Sequence, residues 1–103
     1  RPPYDPPFAR RTWQSYCVWI DPIAAVERTE LMRRLLADGI ASRRGVMAIH
    51  AEPAYAGAPH APLPHTENVA AGTMMLPLFP DMTEAQQDWV VDRLATHAGA
   101  LAA

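Results

Sequence analysis

A chain of 103 residues has room for one domain with a modest core and not comfortably for two. Half of it is hydrophobic, 19% is charged and the net charge is −2, which excludes a basic nucleic-acid groove and a surface built for anionic membranes. No apolar run is long enough for a membrane span, and the basic start at residues 1–11 lacks the apolar core of a signal peptide. Cys17 is the only cysteine, so no internal disulfide can form and a reducing cytoplasm is the expected compartment. All nine basic residues are arginines. Without a lysine, the chain cannot form a lysine Schiff base.

The lead-in, residues 1–11, holds four of the eleven prolines and reads as an interdomain linker or the end of a cut chain, extended or poorly ordered. Residues 12–103 then read as one small domain, part of something larger. "TWQSYCVWI", residues 12–20, is aromatic and β-branched and predicts a first strand, ended by Asp21-Pro22. Trp13, Tyr16 and Trp19 are either core or partly turned towards a missing domain or subunit.

In "RTELMRRLLADGI" the pairs Leu31/Leu35 and Met32/Leu36 predict an amphipathic helix. Thr29 or a neighbour caps its start, and Gly39 supplies the left-handed residue past its end. Residues 43–49 predict a second strand, broken after His50 by Pro53. A Gly-, Pro- and His-rich surface loop follows at residues 56–64. "HTENVAAGT" predicts a short helix weakened by Gly72, and Met74 to Phe79 a third strand with Pro77 at an edge or bulge. The last helix is expected over residues 82–103. Thr83 and Gln86 form its capping box, and Val90, Leu94 and Leu101 share one face.

Strand, helix, strand, short helix, strand, helix is the order of a small α/β sandwich, an α+β arrangement. It has a three-stranded, mainly antiparallel sheet with helices on one face. Gly45 lies where backbone freedom permits a bulge or the close approach of a ligand.

With these elements in place, the chain resembles the C-terminal part of the DegT/DnrJ/EryC1/StrS aminotransferases. The residues that carry the resemblance are Gly39-Ile40, Arg43, His50, Tyr55 five positions on, Glu67 on the short helix, Leu76-Pro77-Leu78-Phe79-Pro80, and Thr83-Glu84 with Gln86-Gln87. They run in the family's order from Thr12 to Leu94. Many members carry a tyrosine soon after the arginine, where this chain has Arg44-Gly45-Val46.

The resemblance implies the small C-terminal domain of a fold-type I enzyme dependent on pyridoxal 5'-phosphate. Such enzymes move an amino group, from glutamate as donor, to a nucleotide-linked keto-sugar for polysaccharides or antibiotics. It further implies a homodimer with its active site between subunits, and a large domain that handles the cofactor. Some members carry histidine for the Schiff-base lysine and dehydrate instead. By this reading the chain alone binds no cofactor, contributes no catalytic residue and is inactive.

What remains for it is to position a polyanionic nucleotide-sugar and exclude water. Arg43 and Arg44 suit phosphate oxygens, although alternate strand residues face opposite ways and one of the pair can be merely solvated. His50 suits a sugar hydroxyl or the cofactor, or else packs or caps a turn. Tyr55 is a weaker substrate-binding candidate, since a tyrosine beside a turn commonly packs with a wet hydroxyl.

Glu67 is expected to support its helix start, and Cys17 to fill space inside a strand. His50, His60 and His65 match no zinc spacing, so no metal is expected. A free-standing small-ligand or protein-interaction module is the competing class. It would need its own pocket of convergent polar groups.

Overall fold

The computed structural model describes residues 1–21 and 26–99. Pro22 and Leu101, invoked above for a strand end and a helix face, lie outside them. Three strands, β1 (Tyr16–Trp19), β2 (Arg43–Arg44) and β3 (Thr73–Leu76), form one antiparallel sheet in the order β1-β3-β2. Among the described residues three α-helices accompany it, α1 (Arg28–Ala37), α2 (Pro64–Gly72) and α3 (Glu84–His97). The α+β architecture is as expected, with the last strand in sequence at the centre of the sheet.

Every strand is shorter than its propensity predicts, and β3 is the reason. Tyr16 pairs with Leu76, so the partner for Ser15 would be Pro77, which has no N–H to give. Pro77 therefore stands just beyond a central strand rather than at an edge or bulge. At the other end Arg44 pairs with Met74 and Gly45 donates to the Thr73 carbonyl at 3.1 Å. The next residue back, Gly72, is already helical. Residues 46–48 consequently have no partner strand, and Ile49–Ala51 and Pro53–Tyr55 close into two 3-10 turns. The second strand thus ends well short of His50, which is carried on a turn.

One sheet face holds the core. Val18 and Met74 are opposite each other and pack with Leu31 and Leu35 of α1, Ile40 and Val90 of α3. Leu31, Leu35 and Met74 are fully buried. The end of α1 follows the expected design. Gly39 has φ +79, its N–H bonds the Leu36 carbonyl at 3.0 Å, and Ile40 N–H reaches back to Leu35 at 2.8 Å. The start is capped by Glu27, whose carboxylate accepts from Thr29 and Glu30 N–H. One turn on, hydrogen bonds from Arg33 and then Arg34 lower the Glu30 carboxyl to about 2. The Thr83–Gln86 capping box of α3 is present in both directions.

The aromatic first strand divides. Tyr16 packs against the core, while Trp13, beyond the paired segment, stacks on Tyr16 at 5.3 Å and stays 48% exposed. Trp19 is half-buried under the Arg1 guanidinium, 4.5 Å from its ring. Trp19 N–H also donates to the Arg1 carbonyl, so the lead-in is anchored along the outer edge of β1 at its first residue.

Arg28, at the first position of α1, donates from one guanidinium nitrogen to the carbonyls of Ala70 and Thr73, 3.1 Å in the latter case. It thereby clamps the end of α2 where α2 becomes β3. Arg28→Met removes a charge-assisted donor from two carbonyls at once and should cost about 1–3 kcal/mol in urea unfolding. An unchanged midpoint would show that water replaces the clamp without loss.

Candidate functional site

The turn Ile49–Ala51 turns the His50 ring inwards, leaving 13% of its side chain exposed. Its Nε2 lies 3.2 Å from Oε1 of Glu67, in the first turn of α2. Its ring also stacks on His60 at a centroid distance of 4.6 Å. The His60 ring is itself held by an Nδ1–H bond to the Ala61 carbonyl, 2.8 Å away. His50 and His60 border an open groove of about 420 Å³, walled by Met47, Ile49, Tyr55, Pro59 and Leu63. Three of the wall residues are unusually exposed for their type, with Met47 at 71%, Ile49 at 67% and Tyr55 at 52%. The arrangement offers one buried-side imidazole and an apolar floor, which suits a hydroxyl-bearing ring with an apolar face.

The two arginines sit elsewhere. Residues opposite each other in the ladder share a side of the sheet. Arg44 opposes Met74, on the helix-covered side, whereas Arg43 opposes Met75 on the other. Arg43 lines a separate depression of about 280 Å³ with Gln14, Ser15, Ser42 and Leu78, and no residue of it borders the His50 groove. Both arginines are exposed, and neither side chain is hydrogen-bonded or ion-paired among the described residues. The Ser42 hydroxyl beside Arg43 is buried without a hydrogen-bond partner among the described residues. Of the four candidate residues, the structure therefore brings together His50 and Tyr55, sets Arg43 on a separate depression and leaves Arg44 at neither.

Gly45 does serve a close approach, but of the protein to itself. A Cβ there would lie 2.3 Å from Thr73 Oγ1, 2.6 Å from Thr73 Cβ and 3.1 Å from Cys17 Sγ. Thr73 Oγ1 is fixed in place, donating to the Val69 carbonyl at 2.7 Å and accepting from Val46 N–H at 3.4 Å. Cys17 is half-buried and part of this packing. Gly45→Ala should therefore destabilise by about 1–3 kcal/mol through overpacking and shift the turn that carries His50. Thermal unfolding checks it, and a wild-type Tm would mean that the strand moves away freely.

Comparison with known proteins places this geometry. The DegT/DnrJ/EryC1/StrS aminotransferase family model matches residues 2–95. The chain belongs to this family. Among solved structures, the aminotransferase TlmJ from Streptoalloteichus hindustanus superposes with a TM-score of 0.81 at 26% identity. That match covers 100% of this chain and 27% of TlmJ. A DegT/DnrJ/EryC1/StrS aminotransferase from Brucella abortus gives a TM-score of 0.77 at 28% identity, over 96% of this chain and 26% of its own. DesI, solved with its TDP-sugar product, gives 0.70 at 32% identity, over 84% of this chain and 23% of its own. A curated relative, the pleiotropic regulatory protein of Geobacillus stearothermophilus, is 36% identical over 76 residues, 71% of this chain and 20% of that protein. The chain thus spans about a fifth to a quarter of the family members it matches.

The family pattern had already pointed to His50, Tyr55 and Glu67. What sequence reasoning missed is that Glu67 does more than support a helix start, because it holds the His50 ring across 17 residues of chain. The ring of His60, on the Gly- and Pro-rich loop, was likewise unforeseen as a neighbour. Among the described residues no group of three or more acidic, histidine or cysteine side chains is arranged to hold a metal. Among the described residues no helix is long and apolar enough to cross a membrane.

Proposed function

We propose that this chain is the small C-terminal domain of a pyridoxal 5'-phosphate-dependent sugar aminotransferase, and that it positions a nucleotide-linked keto-sugar for amino transfer from glutamate. The observation that carries the reading is the paired arrangement just described, within a fold shared with sugar aminotransferases. It comprises an exposed arginine on one depression, its side chain without a hydrogen bond or ion pair among the described residues, and an oriented histidine on a separate apolar groove. The family works in general with pyridoxal 5'-phosphate, which supplies an electron sink for bonds to the amino-bearing carbon. The residues of this chain do not fit a covalent site for that group, since it contains no lysine. No catalytic step is assigned to them.

Their work is binding and orientation. Arg43 carries a permanent positive charge into solvent beside Ser15, Gln14 and Ser42, where a diphosphate would find bidentate donors. His50 and Tyr55 border the groove for the sugar ring. Closing these surfaces over the ligand excludes water from the reacting carbon. The dimer and the cytoplasmic setting of the family resemblance belong to the same proposal.

The test is to supply the full-length protein with pyridoxal phosphate, glutamate and a TDP-linked keto-sugar, and to read the product by mass. An amino-sugar nucleotide is the expected product. A dehydrated sugar, or no turnover across a panel of nucleotide keto-sugars, contradicts the proposal. Treating this chain alone with the cofactor and borohydride should label only the α-amino group of Arg1. A stable adduct at any other residue would show a cofactor site that this reading denies.

A further inference from the structure

His50 has two ring nitrogens, and the structure treats them differently. Nε2 faces the Glu67 carboxylate, which can only accept, so Nε2 carries the proton. Nδ1 makes no hydrogen bond among the described residues, while the ring borders the groove. Glu67 does not border that groove. The ring is also held on its flat side, by His60 at 4.6 Å with a 43° tilt between planes. The carboxylate of α2 and the ring of His60 thus fix the orientation of the imidazole from two separate segments.

We propose that Glu67 and His60 are positioning residues that present Nδ1 of His50 to the groove as a hydrogen-bond acceptor for a hydroxyl of the bound sugar. The inference rests on the function proposed above and sharpens it. A neutral imidazole nitrogen with a lone pair accepts from a hydroxyl and repels a phosphate oxygen. The groove therefore takes the sugar ring, packed by its C–H face on Met47, Tyr55 and Leu63, and the phosphates belong at Arg43. Glu67 acts by direction rather than by charge, so an oxygen in the same place should serve. Glu67→Gln keeps an amide oxygen for Nε2–H, whereas Glu67→Ala removes the acceptor altogether.

Two readouts on the full-length protein decide it. With isotope-labelled histidine, the Nε2–H proton of His50, assigned by its loss in His50→Gln, should be resolved in the wild type and in Glu67→Gln and lost in Glu67→Ala. A signal equally sharp in Glu67→Ala, or none in the wild type, overturns the assignment of the proton. In single-turnover kinetics with a TDP-linked keto-sugar, Glu67→Ala should lower kcat/KM for the sugar half-reaction about tenfold, with Glu67→Gln restored to within about threefold. The half-reaction with glutamate should not change in either.

Glu67→Ala added to His50→Ala should cost nothing further, because its effect passes through His50. Additive losses, or a Glu67→Gln variant as slow as Glu67→Ala, overturn the proposal. If the protein transfers no amino group at all, the function proposed above fails, and the proton signal still decides what Glu67 does to His50. His60→Phe, which keeps a ring against His50 without its nitrogens, should match the wild type in both readouts, and His60→Ala should not. Equal behaviour of the two variants removes His60 from the proposal.

Discussion

Arg43→Ala in the full-length protein should raise KM for the nucleotide-sugar about ten- to a hundredfold while leaving kcat nearly unchanged. A charge-assisted contact to a phosphate is formed in the ground state and the transition state alike, so its loss appears as weaker binding, about 1.5–3 kcal/mol. The half-reaction with the amino donor involves no nucleotide and serves as the internal control. Stability should not interfere, because the Arg43 side chain is exposed and makes no hydrogen bond or ion pair among the described residues. Arg44→Ala is the contrasting variant. It lies on the opposite side of β2, next to Met74, and borders neither depression, so sugar kinetics should stay close to wild type. If the two variants fall equally, or neither falls, the assignment of the phosphate to Arg43 is wrong.

Leu35→Ala should be the most destabilising single truncation in the chain, at about 2–5 kcal/mol. Leu35 is fully buried between the sheet and the helices. It also belongs to the helix-ending motif, where its carbonyl accepts from Ile40 N–H at 2.8 Å while both side chains enter the core. Few residues share this core, so little packing remains to compensate for a cavity. Urea unfolding followed by tryptophan fluorescence reads the loss. A shift of less than about 1 kcal/mol would mean that the site collapses around the alanine.

Local chemistry was legible in the sequence and non-local pairing was not. The Thr83–Gln86 box, the left-handed Gly39 and the Leu31/Leu35 stripe each depend on residues within a turn or two, and each appears where expected. Strand lengths depend on a partner far along the chain. Val46 and Met47 have good strand propensity, yet β3 has turned into α2 at the position that would pair with them. The same limit hid the functional geometry. His50 and Tyr55 were named from the family pattern, but their place on turns beside His60 and Glu67 follows from where β2 runs out of partner. Gly45 reads in the sequence as a site for a bulge or the close approach of a ligand, whereas the structure brings the protein's own Thr73 against it. The alternation of Arg43 and Arg44 was legible in principle. Which of them faces away from the core required the register with Met74 and Met75.

The most direct test of the central claim is a crystal structure of the full-length protein with a bound nucleotide-sugar. The account predicts the Arg43 guanidinium within hydrogen-bonding distance of a phosphate oxygen. It also predicts the sugar ring on Met47 and Tyr55, with a hydroxyl donating to Nδ1 of His50. A ligand fully bound in the large domain that touches neither Arg43 nor the His50 groove would contradict it, and these surfaces would then serve only to hold the domain in place.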